Sequence, residues 1–151
     1  MMVFMNQLYN ITIKHCPCHS GKSYEQCCRL FHLDFYQAQT AEDLMRSRFT
    51  AFAIGSMNSE NQKFFEQYLL QTWHPKTRPA EMQLDTSIEW INLKIKGRKD
   101  GKKRHHKGMV HFSAEFQDKL NPKNTGTLEE MSQFEKDSKG GWLYVEGEVI
   151  N

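Results

Sequence analysis

The four cysteines constrain this chain more than any other feature. They fall between residues 16 and 28, as the triplet Cys16-Pro17-Cys18 and the adjacent pair Cys27-Cys28. Adjacent cysteines are poor partners for each other in an ordinary disulfide. Zinc takes four thiolates in a tetrahedron, and a reducing compartment favours metal over disulfides in such a cluster. The spacing therefore predicts a zinc site, with two disulfides or a catalytic thiol as the alternatives.

The expected zinc is structural, because four thiolates leave no open position for a substrate. Ser20 and Gly21 supply a turn between the two cysteine pairs, and a short helix over residues 23–29 would present the second pair. His15, His19 and His32 flank the site. We interpret them as solvated neighbours, and His32 is the first alternative ligand.

Length and charge place the chain among single-domain proteins. Its 151 residues carry a net charge of +2, and 25% of them are charged, the usual share for a globular domain. No run approaches the roughly 20 apolar residues of a membrane span. Residues 1–14 lack the basic start of a signal peptide and are interpreted as a leader. A cytoplasmic protein is the resulting expectation.

Two helices are predicted after the cysteine segment. Thr40 with Asp43 makes a weak capping box ahead of an apolar helical repeat that stops near Gly55. A second helix follows and ends before Pro75, since the residue before a proline is pushed out of the α region. Its apolar stripe comprises Phe64, Phe65, Tyr68, Leu69, Thr72 and Trp73.

Four antiparallel strands are predicted from Thr86 onwards, where the apolar period changes from helical to alternating. Ile91, Leu93 and Ile95 alternate with polar residues, and so do the residues of 110–116. Weaker patterns cover 125–135 and 142–149, and turn signals separate all four segments. Helices followed by meandering strands predict an α+β domain with helices packed on one face of a sheet.

A basic stretch joins the first two predicted strands. Residues 94–107 contain eight Lys or Arg and one acid, so this segment carries +7 and the rest of the chain −5. It is either a solvated hairpin tip or a sequence-independent RNA contact that would weaken as salt rises. The candidate contact residues are Arg98, Lys99, Lys102, Lys103, Arg104 and Lys107.

The cysteine segment resembles the SEC-C motif, the zinc module at the tail of the bacterial preprotein translocase motor. The resemblance rests on the four cysteines together with Pro17, Ser20, Gly21 and Tyr24, whereas His19 stands where the motif usually has glycine. In the translocase motor the motif binds the secretion chaperone and the ribosome. The resemblance thus implies structural zinc in residues 15–32, and a protein or ribosome partner.

The remainder of the chain is similar to the YchJ family of bacterial proteins. The matching segments are Leu44 to Phe49 with Ala51-Phe52, Thr72 to Pro75, Glu89-Trp90 and Trp142 to Gly147. This resemblance implies that residues 33–151 form a nuclear transport factor 2-like (cystatin-like) domain. Such a domain is a cone of curved antiparallel sheet around helices.

Five residues are candidates for a pocket in that cone. Arg46 and Arg48 lie two apart on one helix and so point to different faces. One of them should pair with Glu89 or bind an anion, because guanidinium grips carboxylate or phosphate through two parallel bonds. Trp73 is either core or pocket wall, and His74 either stabilises a helix end or acts as a general acid or base.

Three functions follow from these features. The first is a cytoplasmic adaptor that docks through its zinc module. The second is an enzyme or small-ligand binder that uses the cone, and the third is RNA binding through the basic stretch. An open, mostly apolar cavity with converging His and carboxylate groups would favour the second. A cone filled by Phe49, Phe52, Phe112 and Phe116 would favour the first.

Overall fold

The fold is given by a computed structural model, which describes residues 11, 13–57 and 59–150. The leader expected at residues 1–14 therefore lies largely outside the described residues. Three helices precede four strands in the described part of the chain. Their bounds are α1 Cys28–Leu33, α2 Ala41–Gly55, α3 Ser59–Gln71, β1 Ile88–Asp100, β2 Lys107–Asp118, β3 Thr125–Lys136 and β4 Trp142–Val149, with a 3-10 turn at Phe35–Gln37.

The four strands form one antiparallel sheet in the order β1-β2-β3-β4. Helix α2 packs against α3 and against β1, β2 and β4. The Thr40 side chain accepts a hydrogen bond from the Asp43 backbone N–H at 3.0 Å, and the helix ends at Gly55. The predicted α+β class, with helices on one face of an antiparallel sheet, is confirmed.

Three register shifts bend the sheet around α2. One lies between Trp90 and Asn92, one between Ile95 and Gly97, and one on the β3–β4 pair. An extra residue in one strand bends that strand and increases its twist. The shifts therefore give the sheet the curvature that a single helix needs in order to lie against several strands.

The first shift overturns one expectation from the alternating pattern. Ile91 was expected on the inner face with Leu93, yet its side chain is 38% exposed, whereas Leu93 is 5% exposed. Ile91 is the extra residue of the bulge, because Trp90 pairs with Phe116 and Asn92 with Glu115. Trp90 thereby takes the inner position and contacts Phe116, with ring centres 5.2 Å apart.

Both ends of the sheet are fixed to the helical layer. The segment after α3 runs along the free edge of β4, where the Tyr144 N–H donates to Thr72 O at 2.8 Å and the His74 N–H donates to Tyr144 O at 2.7 Å. At the β1–β2 turn, the Ala41 N–H donates to Gly101 O at 2.9 Å. The unpaired backbone of an edge strand is thus covered.

The bulge can be tested with a matched pair of variants. Leu93→Ala should lower the free energy of unfolding by about 2–4 kcal/mol, as expected for truncation in a packed core. Ile91→Ala should lower it by no more than about 0.5 kcal/mol, as expected at an exposed site. Urea denaturation measures both changes. Equal losses would mean that Ile91 belongs to the core and that the bulge is misplaced.

Candidate metal centre and cone cavity

The four cysteine sulfurs meet in one buried cluster. All four Sγ atoms lie within 4.8 Å of one another, and all four side chains are buried. The Cys18–Cys27 and Cys27–Cys28 sulfur pairs are 3.6 and 4.0 Å apart, and no disulfide joins them. A tetrahedron with metal–sulfur bonds of about 2.3 Å has sulfur–sulfur edges of about 3.8 Å. The cluster therefore fits a four-thiolate metal site.

The thiols of the cluster also influence one another's protonation. Hydrogen bonding to Cys18 raises the pKa of Cys16, and hydrogen bonding from Cys16 lowers the pKa of Cys18. The Ser20 hydroxyl lies 3.1 Å from Cys27 Sγ, and outer contacts of this kind orient and tune metal ligands. Neighbouring thiols share protons in this way, and a divalent cation displaces such protons when it binds.

A tight backbone turn positions the first cysteine pair. The Cys16 N–H donates to Lys22 O at 3.0 Å, and the His19 N–H donates to Cys16 O at 3.1 Å. His19 has φ of 62°, in the left-handed region that favours glycine. The residue that departs from the SEC-C pattern thus occupies a position with a glycine conformation, which explains why glycine is usual there.

The interpretation of His32 as a solvated neighbour is wrong, because His32 is buried and links the cysteine segment to the helices. Its Nε2 lies 2.9 Å from Ser47 O, and since a carbonyl only accepts, Nε2 carries the hydrogen. Nδ1 therefore accepts from the Tyr24 hydroxyl at 2.8 Å. Both ring nitrogens are thus occupied by protein groups. The His32 ring also packs edge-on against Phe65 and Tyr68 of α3, with ring centres 4.9 and 4.8 Å away.

Arg46 makes a second connection between the cysteine segment and the sheet domain. Its Nη1 donates to Cys18 O at 2.6 Å, and its Nε donates to Glu42 at 2.9 Å. The same Glu42 carboxylate accepts from Arg98 on β1 at 2.6 Å. The cysteines and Tyr24 belong to one continuous apolar core with the helices and strands. The metal segment is therefore built into the domain.

A separate cavity of about 160 Å³ lies between α2 and the inner face of the sheet. Phe49, Phe52 and Phe112 line this cavity instead of filling it, and Phe116 packs on Trp90. Its other lining residues are Met45, Arg48, Trp73, Trp90, Ala114, Leu128, Glu130, Ser132, Phe134 and Tyr144.

The five candidate pocket residues are distributed over four places. Arg48 and Trp73 line the cavity, whereas Arg46 lies at the metal centre. His74 lines a shallow outer groove with Tyr36 and Arg78. Glu89 accepts from Gln117 Nε2 at 2.7 Å. The expected ion pair of an arginine with Glu89 is therefore wrong. Arg46 pairs with Glu42, and Arg48 donates to Leu69 O and Thr72 Oγ1.

Sequence reasoning missed the polar groups contributed to the cavity by β3 and β4. Glu130 and Ser132 stand opposite Phe112 and Val110 in the β2–β3 register, so they face inwards. Tyr144 adds a third polar group. The sequence contained the signal for this placement, because Glu130 and Ser132 alternate along β3 in step with Leu128 and Phe134 and so lie on the same face of the sheet. A carboxylate is thus one of the converging groups that the ligand-binding hypothesis required, and His74 is not.

The basic stretch is a β-hairpin end docked on α2. Arg98 is engaged with Glu42. The other candidate contact residues are exposed, and among the described residues no carboxylate lies within 4 Å of their charged groups. They are Lys99, Lys102, Lys103, Arg104 and Lys107. Their positive charge is therefore directed to solvent.

Comparison with sequence families identifies the domain. Residues 40–147 match a family model described as YchJ, middle NTF2-like domain. The chain is similar to a UPF0225 protein of Streptomyces coelicolor, with 41% identity over 90% of this chain and 96% of the relative. It is similar also to a UPF0225 protein of Corynebacterium glutamicum, with 42% identity over 90% of this chain and 98% of the relative.

Solved structures agree with this comparison. The solution structure of a SEC-C motif containing protein from Rhodopseudomonas palustris is 28% identical, with a TM-score of 0.69, and covers 90% of this chain and 98% of its own. The crystal structure of a SEC-C motif containing protein from Psychrobacter arcticus is 22% identical, with a TM-score of 0.64 over 95% of this chain and 86% of its own. The second likeness concerns the fold alone. No helix in the described residues is long and apolar enough to cross a membrane.

Acid should destabilise the folded chain through His32. Burial lowers the pKa of His32 from 6.5 to about 4. Between these two values the unfolded chain binds a proton at His32 and the folded chain does not, so stability is full above pH 6.5 and falls towards pH 4. At about 1.4 kcal/mol per pH unit, the loss amounts to about 3 kcal/mol. Urea denaturation across this pH range measures it.

The control is His32→Gln, which keeps a donor and an acceptor but does not titrate. Its stability at pH 7 should be lower than that of the wild type, and its loss between pH 6.5 and 4 should be smaller by about 3 kcal/mol. Protonation of the thiols affects both proteins, so the difference isolates His32. Parallel curves for the two proteins would show that His32 is not held neutral by the fold.

Proposed function

This chain belongs to the YchJ family, and on that premise we propose that it is a cytoplasmic zinc-binding adaptor that docks on a protein partner through its SEC-C module. The supporting observation is a group of exposed apolar side chains at the C-terminal end of that module and directly after it. Leu30, Leu33 and Tyr36 are 49%, 43% and 40% exposed. They account for three of the seven large apolar side chains that are exposed in the described residues. Concentrated apolar exposure is typical of interaction sites.

The chemistry of the donor set supports zinc. A tetrahedral site of four thiolates suits Zn²⁺ or an iron–sulfur centre, and the sulfur spacing is close to that of a single-metal tetrahedron. The four thiols are reduced and buried, which suits a reducing compartment such as the cytoplasm. Zinc in a closed site would hold the turn and α1 in place and would take no part in chemistry.

The docking surface would be rigid because the cysteine cluster and buried contacts with the domain hold it in place. Leu30 and Leu33 are three residues apart on α1, so they share one helix face. Helix α1 begins with Cys28, and its His32 is buried against α3. Tyr36 follows in the 3-10 turn, where its hydroxyl donates to Asp137 on the sheet side at 2.8 Å. A surface that is already ordered loses less conformational entropy when a partner binds.

The groove beside this surface adds a charge preference. It is lined by Tyr36, His74, Arg78 and Lys136, with Asp137 engaged by the Tyr36 hydroxyl. Apolar side chains next to cationic ones fit a partner segment that carries apolar residues flanked by carboxylates. The proposed partner is therefore a protein with such an acidic and apolar segment.

Zinc content tests the metal half of the proposal. Cys18→Ser should hold no zinc after exchange against a weak chelator, whereas the wild type should hold one equivalent per chain by elemental analysis. Loss of zinc should also expose amides in α2 to hydrogen exchange, because the module shares the core of the domain and binding in such sites supplies on the order of 10 kcal/mol. Wild-type protein isolated with iron, or a Cys18→Ser protein that retains one zinc, would contradict the assignment.

Ser20→Ala is the matched control for that experiment, since it keeps all four cysteines and removes the hydroxyl that lies near Cys27 Sγ and accepts from the Lys22 N–H. It should retain one zinc and bind it about tenfold more weakly, as expected for loss of an outer contact.

Affinity capture tests the docking half. The double variant Leu30→Ser/Leu33→Ser should lose a partner that the wild type retains. The control is Leu120→Ser, which removes a side chain that is 99% exposed in the β2–β3 turn and should retain the partner. Loss of the partner by both variants, or by neither, would remove the support for docking through α1.

The same capture experiment distinguishes RNA binding by the basic stretch from protein docking through α1. Captured RNA that is released by added salt and by Lys102→Ser/Lys103→Ser, with no effect of the leucine variants, would favour the basic hairpin as the working surface.

A further inference from the structure

The cone cavity contains a buried arginine whose hydrogen-bonding capacity is only partly used. Arg48 is 6% exposed, and its Nη1 donates to Leu69 O and to Thr72 Oγ1, both at 2.7 Å. A guanidinium has five N–H donors. Within the described residues Nε and Nη2 make no hydrogen bond, and no carboxylate lies within 4 Å of the group. Arg48 lines the cavity, so these three remaining N–H donors are available to an acceptor that enters it.

A second donor without an acceptor stands beside it. Trp73 Nε1 is buried and has no hydrogen-bond partner among the described residues. The Arg48 guanidinium lies 5.3 Å from the centre of the Trp73 ring and 4.6 Å from that of Tyr144. These aromatic contacts stabilise the cation without using its in-plane N–H groups. A buried donor left without an acceptor costs about 1–3 kcal/mol, so the Trp73 indole N–H favours an acceptor from a ligand.

The wall of the cavity formed by β3 supplies a hydrogen-bond acceptor instead of a donor. The Glu130 carboxylate accepts from the Ser132 hydroxyl at 2.5 Å. It also occupies the space above Gly147, where a Cβ would collide with Oε2. Glycine on β4 thus leaves room for this carboxylate at the cavity wall. A carboxylate with remaining lone pairs selects a ligand group that donates a hydrogen bond.

The rest of the cavity is apolar and aromatic. Phe49, Phe52, Trp90 and Phe112 form much of its lining. Its volume of about 160 Å³ is close to the roughly 150 Å³ of a dry engineered cavity that accepts benzene. The space therefore suits a ligand with about one six-membered ring.

We propose that the cone cavity binds a small aromatic carboxylic acid that carries a hydroxyl group. Arg48 holds the carboxylate through Nε and Nη2, with the Trp73 indole N–H as an additional donor. The ring lies among the phenylalanines and Trp90, and Glu130 accepts a hydrogen bond from the hydroxyl. This site is independent of the docking surface on α1, since the two share no residue.

Four probe compounds test how much the carboxylate and the hydroxyl group of the ligand each contribute to binding. 4-Hydroxybenzoate carries both polar groups, benzoate lacks the hydroxyl, phenol lacks the carboxylate, and toluene lacks both. In titrations of the full-length zinc-loaded protein, 4-hydroxybenzoate should bind most tightly. Phenol should bind at least tenfold more weakly and toluene more weakly still. Nuclear magnetic resonance should show the Trp73 indole N–H signal, assigned with Trp73→Phe, moving downfield with the acids only.

Variants assign each contact. Trp73→Phe removes one donor and should weaken binding of both acids severalfold. Arg48→Lys keeps the charge but loses the two-pronged geometry, and should weaken both acids at least tenfold. Because Arg48 also joins α2 to α3, a folding failure of that variant would leave Trp73→Phe and the four wild-type affinities as the deciding measurements.

Glu130→Gln has a matched control in its neighbour. Glu129 lies on the outer face of β3, where it accepts from Lys96 at 3.1 Å and lies 2.6 Å from His111. Glu130→Gln should reduce the preference for 4-hydroxybenzoate over benzoate, and Glu129→Gln should leave it unchanged. The proposal is overturned if phenol or toluene binds the wild type as tightly as the acids, or if no acid shows saturable binding up to about 10 mM.

Discussion

The connection between the cysteine cluster and the helices holds the two halves of this protein together. Tyr24 donates to His32, and His32 donates to the backbone of Ser47 in the middle of α2. The Ser47 hydroxyl in turn donates to Leu44 O and accepts from Tyr68 of α3. Every polar atom in this chain of contacts is buried and partnered, which is the condition under which a buried polar network rigidifies a core.

Because of that network, a bound metal would stabilise more of the protein than its own loop. In an isolated knuckle, a metal ion stabilises only its own loop. Here the cysteines share one core with Phe65 and the rest of the helical layer, and Arg46 fixes the Cys18 carbonyl from α2. Binding of a metal at this cluster would therefore be coupled to the packing of α2, and α2 also forms one wall of the cone cavity. The metal centre and the cavity are distant in sequence, but both contact α2 in the fold.

The cone itself depends on irregularities in the sheet. A regular β1 would have placed Ile91 towards the core and Trp90 towards solvent, whereas the bulge exchanges the two. Trp90 then closes the cavity together with Phe49, at a ring-centre distance of 6.1 Å. The desolvation that Arg48 suffers beneath this aromatic wall lowers its pKa to about 10, so it still carries its charge at neutral pH. A charged, aromatic-faced donor group is the main chemical feature that distinguishes this cavity from a simple packing defect.

Local sequence signals determined the cysteine cluster, the Thr40 cap, the end of the second helix before Pro75, and the number and order of the strands. Each of these depends on residues close together in the chain, where spacing and backbone preference act directly. Only the tertiary structure decided the partners of Arg46, Arg48, His74 and Glu89. An ion pair or a cavity wall depends on distances between elements, and one extra residue in a strand redirects every side chain on one side of it. The inward parity of Glu130 was readable from the sequence, but the cavity that it lines together with Arg48 required the curved sheet.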